Sequence, residues 1–341
     1  MKKNKKIYKY TGFEQGPIRP PSEAKSLLIR VTRNCPWNRC TFCPVYKKRN
    51  FSIRPVEHVI QDIEMVFKHV NAILQIADEN KNIIRADLRK YINSIEQNEM
   101  RALNAAWHWF ICGMKSIFIQ DANSLIIKPD DLTSILSCLK KCFPWVDRIT
   151  SYSRSHTIAR IKDEDLKAFA NTGLNRIHIG LESGSDEVLK MVKKGVTKEI
   201  HIKAGLKVIK AGMELSEYVM PGLGGKMFSR IHALDTADAL NKINPHFIRL
   251  RTLAIPNTTE LFKQYEAKTF EKCSDIMMAE EILLFFKSLT GITSTIKSDH
   301  ILNLFEEIEG KLPEDKEKMT NVLETFLAME PKDQVIYQVG R

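Results

Sequence analysis

A regular alternation of short apolar, β-branched segments with amphipathic ones constrains this chain more than any other feature. Six apolar segments predict strands, at Ser26–Thr32, Ser116–Gln120, Arg148–Ser153, Asn175–Gly180, Glu214–Met220 and His246–Leu253. Amphipathic segments predict the intervening helices, at Asp131–Cys142, Asp163–Thr172, Thr197–Ala211 and Arg230–Ile243. Strand–helix repeats favour a parallel sheet covered by helices. We therefore expect an α/β fold, a partial (β/α)6 barrel of the TIM type.

The segments outside the repeats predict the domain organisation. Residues 1–25 are polar and punctuated by prolines, which predicts an extended lead-in, and the barrel then spans residues 26–255. A helix opens at Val56, and the pattern stays helical over about residues 75–113, which is more chain than a crossover between parallel strands needs. We expect this helical insertion after strand one to cover the site as a lid, and the alternative is that it only packs on the outside of the barrel. Residues 256–341 predict a C-terminal helical region, with helices at Ala279–Leu289, Asp299–Glu309 and Glu314–Met329.

Three cysteines, Cys35, Cys40 and Cys43, fall within one short loop directly after the first predicted strand. Three thiolates can hold one metal centre and leave a coordination position open for a ligand. Structural zinc usually takes four ligands, and the nearby His58 and His69 lie in a helical pattern. A 4Fe–4S cluster with one open iron fits such a loop, and the three cysteines alone leave zinc or unliganded thiols open as alternatives.

The cysteine loop, with the aromatic Phe42 just before its last thiol, resembles the radical S-adenosylmethionine (radical SAM) superfamily. That superfamily usually spaces its cysteines Cys-x3-Cys-x2-Cys, and this chain has one more residue between the first two. The resemblance implies that Cys35, Cys40 and Cys43 are the cluster ligands. It also implies that Phe42 lies against the adenine of SAM.

Polar residues follow all six predicted strands, and the carboxyl ends of barrel strands are where ligands gather. The stretch from Gly180 to Thr197 resembles the group of oxygen-independent coproporphyrinogen oxidase, the Elongator catalytic subunit and MiaB/NifB. The resemblance implies SAM contacts for several residues: Glu182, Ser183 and Lys194, with Asp121 in place of a Gly-Gly-Glu motif and Ser153 at the ribose. The alternatives are that Glu182 only caps a helix N-terminus and that Lys194 is a solvated surface lysine. We expect Gly222, Gly224 and Gly225 to let the backbone approach the adenine.

Composition is that of a globular protein, with 43% hydrophobic and 27% charged residues. No apolar run reaches the length of a membrane span, and no apolar stretch follows the basic N-terminus, so we expect a cytoplasmic protein without a membrane partner. The net charge of +11 permits nucleic-acid binding, but the excess is spread along the chain apart from a cluster at Lys2, Lys3, Lys5, Lys6 and Lys9. The other cysteines, Cys112, Cys138, Cys142 and Cys273, are scattered, which does not favour a second cluster.

The resemblance implies an enzyme in which reductive cleavage of SAM gives methionine and a 5′-deoxyadenosyl radical, which abstracts hydrogen from a substrate. We expect a small-molecule substrate rather than RNA, because the chain shows neither the extra cysteine domain of MiaB-like proteins nor an acetyltransferase domain. An electron donor such as flavodoxin or ferredoxin is implied. The alternatives are a tRNA-modifying radical SAM enzyme, an iron–sulfur electron carrier without SAM chemistry and a zinc-stabilised RNA-binding module.

Overall fold

The computed structural model describes residues 9–339 as an α/β protein whose strands alternate with helices. The strands are β1 (Leu27–Arg30), β2 (Thr32–Arg33), β3 (Ser52–Ile53), β4 (Ser116–Gln120), β5 (Arg148–Tyr152), β6 (Leu174–Glu182), β7 (Glu214–Val219), β8 (Phe247–Leu250), β9 (Thr295–Lys297) and β10 (Gly310–Lys311). The helices are α1 (Val56–Ile76), α2 (Arg85–Ser94), α3 (Met100–Ile111), α4 (Pro129–Cys142), α5 (Ser155–Ile158), α6 (Asp163–Asn171), α7 (Asp186–Met191), α8 (Lys198–Lys210), α9 (Gly225–Ile243), α10 (Glu260–Glu266), α11 (Asp275–Ser288), α12 (Lys316–Ala328) and α13 (Pro331–Val339). All six predicted strands are present.

The chain forms two compact units, of which the first comprises residues 9–35, 50–152 and 167–175. In it, β1 pairs with β4 and β4 with β5, all parallel. Helix α1 buries one stripe of apolar side chains, with Ile63, Val66 and Val70 fully inaccessible. This unit also contains the short antiparallel pair of β2 and β3, which flanks the cysteine loop in sequence.

The predicted helical insertion is helical, and its two main helices differ in burial. Helix α3 packs against α1 and β1, and its fully buried Trp109 donates from Nε1 to the carbonyl of Ser116 at 2.9 Å. Helix α2 buries none of its side chains. Since α3 is part of the core of the first unit, the suggested role as a lid now concerns α2 alone and stays a prediction.

The lead-in is attached to the first unit by polar contacts. Tyr10 donates its hydroxyl proton to Asp62 at 2.7 Å. Glu14 accepts from Arg30 and from Arg33, each at 2.7 Å. The side-chain carbonyl of Gln120, the last residue of β4, accepts from the backbone of Gly16 at 2.8 Å. These contacts place the lead-in over the carboxyl ends of β1 and β4, while Lys2, Lys3, Lys5 and Lys6 lie outside the described residues.

The second unit comprises residues 36–49, 153–166 and 176–339. Strands β6, β7, β8 and β9 pair in parallel in that order, and β10 is antiparallel to β9. One face of these strands is apolar and packs on helices. An example is Leu215 of β7, which lies against Gly205 of α8. The residues that share this face in register are Ile177, Ile179, Ile248 and Ile296. No helix among residues 9–339 has the length and apolarity to cross a membrane.

The C-terminal region differs from the prediction of a purely helical extension. Residues Asp299–Glu309 form turns instead of the predicted helix, and β9 and β10 are additional strands. The apolar spacing that suggested a helix is misleading, because Ile301 is 88% exposed. The side-chain amide of Asn303 makes two hydrogen bonds to the backbone. Its oxygen accepts from the Thr252 N–H and its nitrogen donates to the Leu250 carbonyl, each at 2.9 Å. Such side-chain bonds to the backbone compete with helical hydrogen bonds.

The glycine-rich loop after β7 packs against the protein itself. The backbone N–H of Gly222 donates to Oε1 of the buried Glu281 at 2.6 Å, and the other oxygen of Glu281 accepts from Ser229 at 2.5 Å. A Cβ on Gly225 would lie 2.6 Å from the carbonyl oxygen of Glu271. In the second unit these glycines therefore accommodate neighbouring protein atoms, which supplies a structural reason for them without an adenine.

One acidic residue, Glu217, lies on the apolar face of β7, between Ile179 and Ile248 of the adjacent strands. Both of its carboxyl oxygens are buried and have no hydrogen-bond partner within the described residues. Burial raises the pKa of Glu217 well above its usual range; the ammonium of Lys194 opposes this effect and the carboxylate of Glu182 adds to it. The fold therefore favours the protonated form of the Glu217 carboxyl group.

We predict that Glu217→Gln stabilises the protein increasingly as the pH rises. In the unfolded chain Glu217 ionises near pH 4.5, whereas the fold keeps its proton, so the native protein loses stability as the pH rises above that value. Glutamine has the same shape and cannot ionise. Thermal midpoints measured between pH 5 and pH 9 should diverge in favour of the variant, and the exposed Glu199→Gln is the control. Parallel profiles for the Glu217→Gln protein and the parent would contradict the assignment.

We predict that Glu281→Ala lowers the free energy of unfolding by about 2–3 kcal/mol, because it leaves the Gly222 N–H and the Ser229 hydroxyl without their buried acceptor. Urea unfolding of the apoprotein measures this loss. Glu280→Ala, one residue earlier on the exposed side of α11, is the matched control and should change stability by no more than about 0.5 kcal/mol. Equal effects of the two substitutions would show that the loop does not depend on Glu281.

Candidate functional site

In the second unit, the loop of residues 36–49 carries Cys40, Phe42 and Cys43. Phe42 is buried, 8% exposed, in an apolar cluster against which both cysteines pack. The other buried members of this cluster are Val188, Val192, Met220, Leu223, Leu253, Leu261 and Phe270. The backbone between the two thiols is held on both sides, since the Thr41 N–H donates to the Val192 carbonyl and the Thr41 carbonyl accepts from Leu261, each at 3.0 Å. The loop is thereby fixed next to the end of α7.

Glu182 and Lys194 form an ion pair beside Phe42. The Lys194 ammonium donates to Glu182 Oε1 at 2.9 Å, and each side chain is 13% exposed. Glu182 has a φ of 64°, at the point where the register of β6 and β7 shifts. A Cβ on Gly180 would lie 2.3 Å from Oε1 of Glu182, so glycine makes room for the folded-back carboxylate. The ammonium lies 5.9 Å from the centroid of the Phe42 ring.

The charge on Lys194 is maintained by its neighbours. Burial works to lower the pKa of Lys194, but the Glu182 carboxylate and the nearby Cys40 raise it, and the net shift is upward. The ammonium therefore stays protonated. The alternatives of a solvated lysine and of a carboxylate that only caps a helix do not describe this buried pair.

Ser183 and Ser153, both predicted to contact SAM, are buried in the second unit. The Ser183 hydroxyl lies 2.8 Å from His232 Nδ1 and accepts from the Ser185 N–H at 3.0 Å, and His232 Nε2 lies 3.1 Å from the Met220 carbonyl. The hydroxyl of Ser183 is thus engaged by protein, which suits a structural role next to Glu182. Ser153 donates its backbone N–H to the His178 carbonyl at 3.0 Å, and its predicted ribose contact stays a prediction.

Asp121 lies in the first unit at the carboxyl end of β4 and is fully buried. Its Oδ2 accepts from Arg30 Nη2 at 2.8 Å and from the N–H of Asn34 at 3.2 Å. Arg30, which sequence reasoning missed, also binds Glu14 of the lead-in. Its position as the last residue of β1 was the signal that could have identified it. Asp121 and Arg30 thus form an ion pair at the carboxyl ends of β4 and β1 in the first unit.

Cysteine thiols are the residue type that holds an iron–sulfur cluster, although no three His, Cys, Asp or Glu side chains among residues 9–339 form a group that could hold a metal ion. Cys35 in the first unit, and Cys40 and Cys43 in the second, are each partly exposed thiols. Cys40 has a buried cation nearby and apolar side chains around it. Thiolate ligands, nearby positive charge and restricted solvent access are the protein features that tune such clusters.

Comparison with known protein families identifies one matching family. The family model of the radical SAM superfamily matches residues 29–236, which is more than half of the chain. The match includes all three cysteines of the loop as well as Asp121, Glu182 and Lys194.

Curated relatives are similar at low identity over part of their length. The 4′-phospho-dehydrooxetanocin synthase of Priestia megaterium is 26% identical over 231 residues, which are 64% of this chain and 27% of the relative. The tRNA uridine(34) acetyltransferase of Methanocaldococcus infernus is 25% identical over 134 residues, 37% of this chain and 24% of the relative. The chain thus spans about a quarter of the length of these relatives.

A solved structure supports the fold. Coproporphyrinogen III oxidase from Escherichia coli, a radical SAM enzyme, superposes with a TM-score of 0.50 at 12% identity, covering 77% of this chain and 52% of the other. This likeness confirms the predicted α/β fold of the partial TIM-barrel type. With the family match over residues 29–236, it follows that the chain belongs to the radical SAM superfamily, whose enzymes use a 4Fe–4S cluster and S-adenosylmethionine.

Proposed function

We propose that this protein cleaves SAM reductively and uses the product to abstract a hydrogen atom from a small molecule. One electron enters the sulfonium and the S–C5′ bond breaks, which supplies methionine and a 5′-deoxyadenosyl radical; the radical becomes 5′-deoxyadenosine by taking a hydrogen atom from the substrate. The observation that carries the proposal is the buried Glu182–Lys194 pair beside Phe42 and Cys40. An electron carrier has no need of a charged pair held at this position.

The residues of the chain have distinct roles in the proposal. Cys35, Cys40 and Cys43 ligate the cluster, and Phe42 presents its ring to the adenine. Lys194 binds a SAM carboxylate or ribose oxygen, and Glu182 holds the ammonium in place. Asp121 and Ser153 provide further polar contacts to SAM. Ser183 acts indirectly, because its bonds to His232 and Ser185 fix the backbone that follows Glu182.

The substrate class is the part of the proposal that needs its own experiment. A tRNA substrate is the second candidate, since one relative acts on a tRNA uridine, although the matched region is only 24% of that relative. Flavodoxin or ferredoxin is the proposed electron donor, and a reducing cytoplasm suits seven cysteines.

Isotope transfer distinguishes the two candidates. An extract of cells grown in deuterated water is separated into small-molecule and RNA fractions, and each is incubated anaerobically with the reconstituted protein, SAM and dithionite. Deuterium should enter 5′-deoxyadenosine only from the small-molecule fraction. Enrichment from the RNA fraction would replace the small-molecule proposal with tRNA modification.

We predict that Cys35→Ala, Cys40→Ala and Cys43→Ala each reduce 5′-deoxyadenosine formation to the level measured without protein, because each removes a thiolate ligand. Chromatography of anaerobic reactions quantifies the nucleoside. Cys112→Ala, which removes a partly exposed thiol outside the loop, is the control and should retain full formation. Retained cleavage in any of the three loop variants would refute the ligand assignment, and no cleavage by the parent protein would refute the proposed function.

We predict that Lys194→Met raises the KM for SAM by tenfold or more, since a hydrogen bond to a charged group contributes about 1.5–3 kcal/mol. The neighbouring Lys193→Met is the matched control, because the Lys193 side chain is 53% exposed and pairs with Glu260. Steady-state rates of 5′-deoxyadenosine formation at varied SAM concentration measure both. If the two variants have the same KM, Lys194 does not contact SAM.

A further inference from the structure

Three successive backbone carbonyls at the end of α7 receive hydrogen bonds from other parts of the second unit. The Val192 carbonyl accepts from the N–H of Thr41 at 3.0 Å. The Lys193 carbonyl accepts from Trp37 Nε1 at 2.7 Å. The Lys194 carbonyl accepts from Arg154 Nη2 at 3.0 Å. The turn that presents the Lys194 ammonium is thereby joined to the cysteine loop at two consecutive residues.

The indole ring of Trp37 is held by charge as well as by this bond. The guanidinium of Arg39 lies 5.0 Å from the ring centroid, and that of Arg154 lies 5.1 Å from it. Guanidinium groups at such distances are attracted to the negative face of an indole, by about 0.5–1 kcal/mol each at exposed sites. Arg154 thus faces the ring of Trp37 and also donates a hydrogen bond to the carbonyl of Lys194, the residue after Lys193.

Gly195 completes the contact. Its φ is 70°, and a Cβ at this position would lie 2.3 Å from Cζ2 of Trp37. The ring therefore lies directly on the glycine backbone, where no other residue type leaves enough room. Glycine also adopts this positive φ without the strain that a side chain would cause.

Trp37 is one of the four residues between Cys35 and Cys40. The superfamily usually has three residues at this place. We propose that Trp37 is a positioning residue that fixes the path of this longer loop on the Lys193–Gly195 backbone and so holds Cys40 in place for the cluster. The link to the cluster rests on the proposed function. In this proposal Trp37 acts through the backbone of the loop, which it joins to the Lys193 carbonyl.

Removal of the indole should loosen the loop in a specific way. The Lys193 carbonyl loses its donor, and two guanidinium groups lose the ring that they face. The Thr41–Val192 hydrogen bond and the apolar cluster that contains Phe42 and Val192 then remain between the loop and the end of α7. A loop with several conformations holds a ligand less tightly, because binding must offset the entropy lost when the loop becomes ordered.

The test is the rate at which reconstituted protein releases iron to a ferrous chelator under anaerobic conditions, which does not depend on enzyme activity. Trp37→Ala should release iron about tenfold faster than the parent, and Trp37→Phe, which keeps a ring but loses the N–H, should be intermediate. Trp145→Ala, which removes a tryptophan that is 41% exposed in the first unit, is the matched control and should release iron at the parent rate. Release by Trp37→Ala at the parent rate would overturn the proposal.

A double-substitution cycle separates this role from general destabilisation. Gly195→Ala displaces the Trp37 ring and should also accelerate iron release. In the Trp37→Ala protein, the same substitution should increase the release rate only through its backbone strain. Additive effects would overturn the coupling. If Trp37→Ala does not fold by circular dichroism, Arg39→Gln and Gly195→Ala carry the same test. A parent that binds no cluster would instead refute the proposed function, so the two failures are distinguishable.

Discussion

The ion pair between Glu182 and Lys194, whose side chains are each 13% exposed, is the interaction around which the candidate site of the second unit is arranged. Taking two charges out of water is unfavourable, and the cost is offset only when each charge has a partner at hydrogen-bonding distance. Here the partners are 2.9 Å apart, with the ring of Phe42 alongside. The pair requires a carboxylate folded back at a positive φ and a glycine, Gly180, that leaves space for it.

The surroundings of this pair are held mainly by hydrogen bonds to the backbone. The loop that contains Cys40 and Cys43 is fixed through Thr41, and the residues after Glu182 are fixed through Ser183 and His232. Because these bonds position main-chain atoms, the functional side chains project from a defined framework. A preorganised framework of this kind lowers the ordering cost of binding a cofactor.

Sequence reasoning located most of the fold and failed where apolar spacing was ambiguous. Alternation of strands and helices predicted all six strands, since the periodicities of two and 3.6 residues are local properties. Residues Asp299–Glu309 had helical spacing but are turns, because Asn303 binds the backbone near β8. Strand β9 escaped prediction because a three-residue strand has too few residues to show a period.

The site was predictable by residue type but not by environment. The loop spacing and the stretch from Gly180 to Thr197 predicted the cysteines, Glu182 and Lys194 as site residues, and the structure pairs Glu182 with Lys194 beside Phe42. The same reasoning assigned Ser183 to SAM, whereas its hydroxyl binds His232, a residue on α9 far away in the sequence. The role of Trp37 was not predicted, since its partners Lys193 and Arg154 come from two other segments of the chain.

By itself, the sequence determined the α/β class, the order of the strands along the chain and the cysteine loop, because these follow from local periodicity and spacing. Only the tertiary structure decided that Lys194 is largely enclosed and paired, that burial raises the pKa of Glu217, and that Trp37 lies on Gly195. Each of these outcomes depends on desolvation and on contacts between residues remote in sequence. No local pattern of residues specifies such contacts, since they arise only once the strands have been brought together.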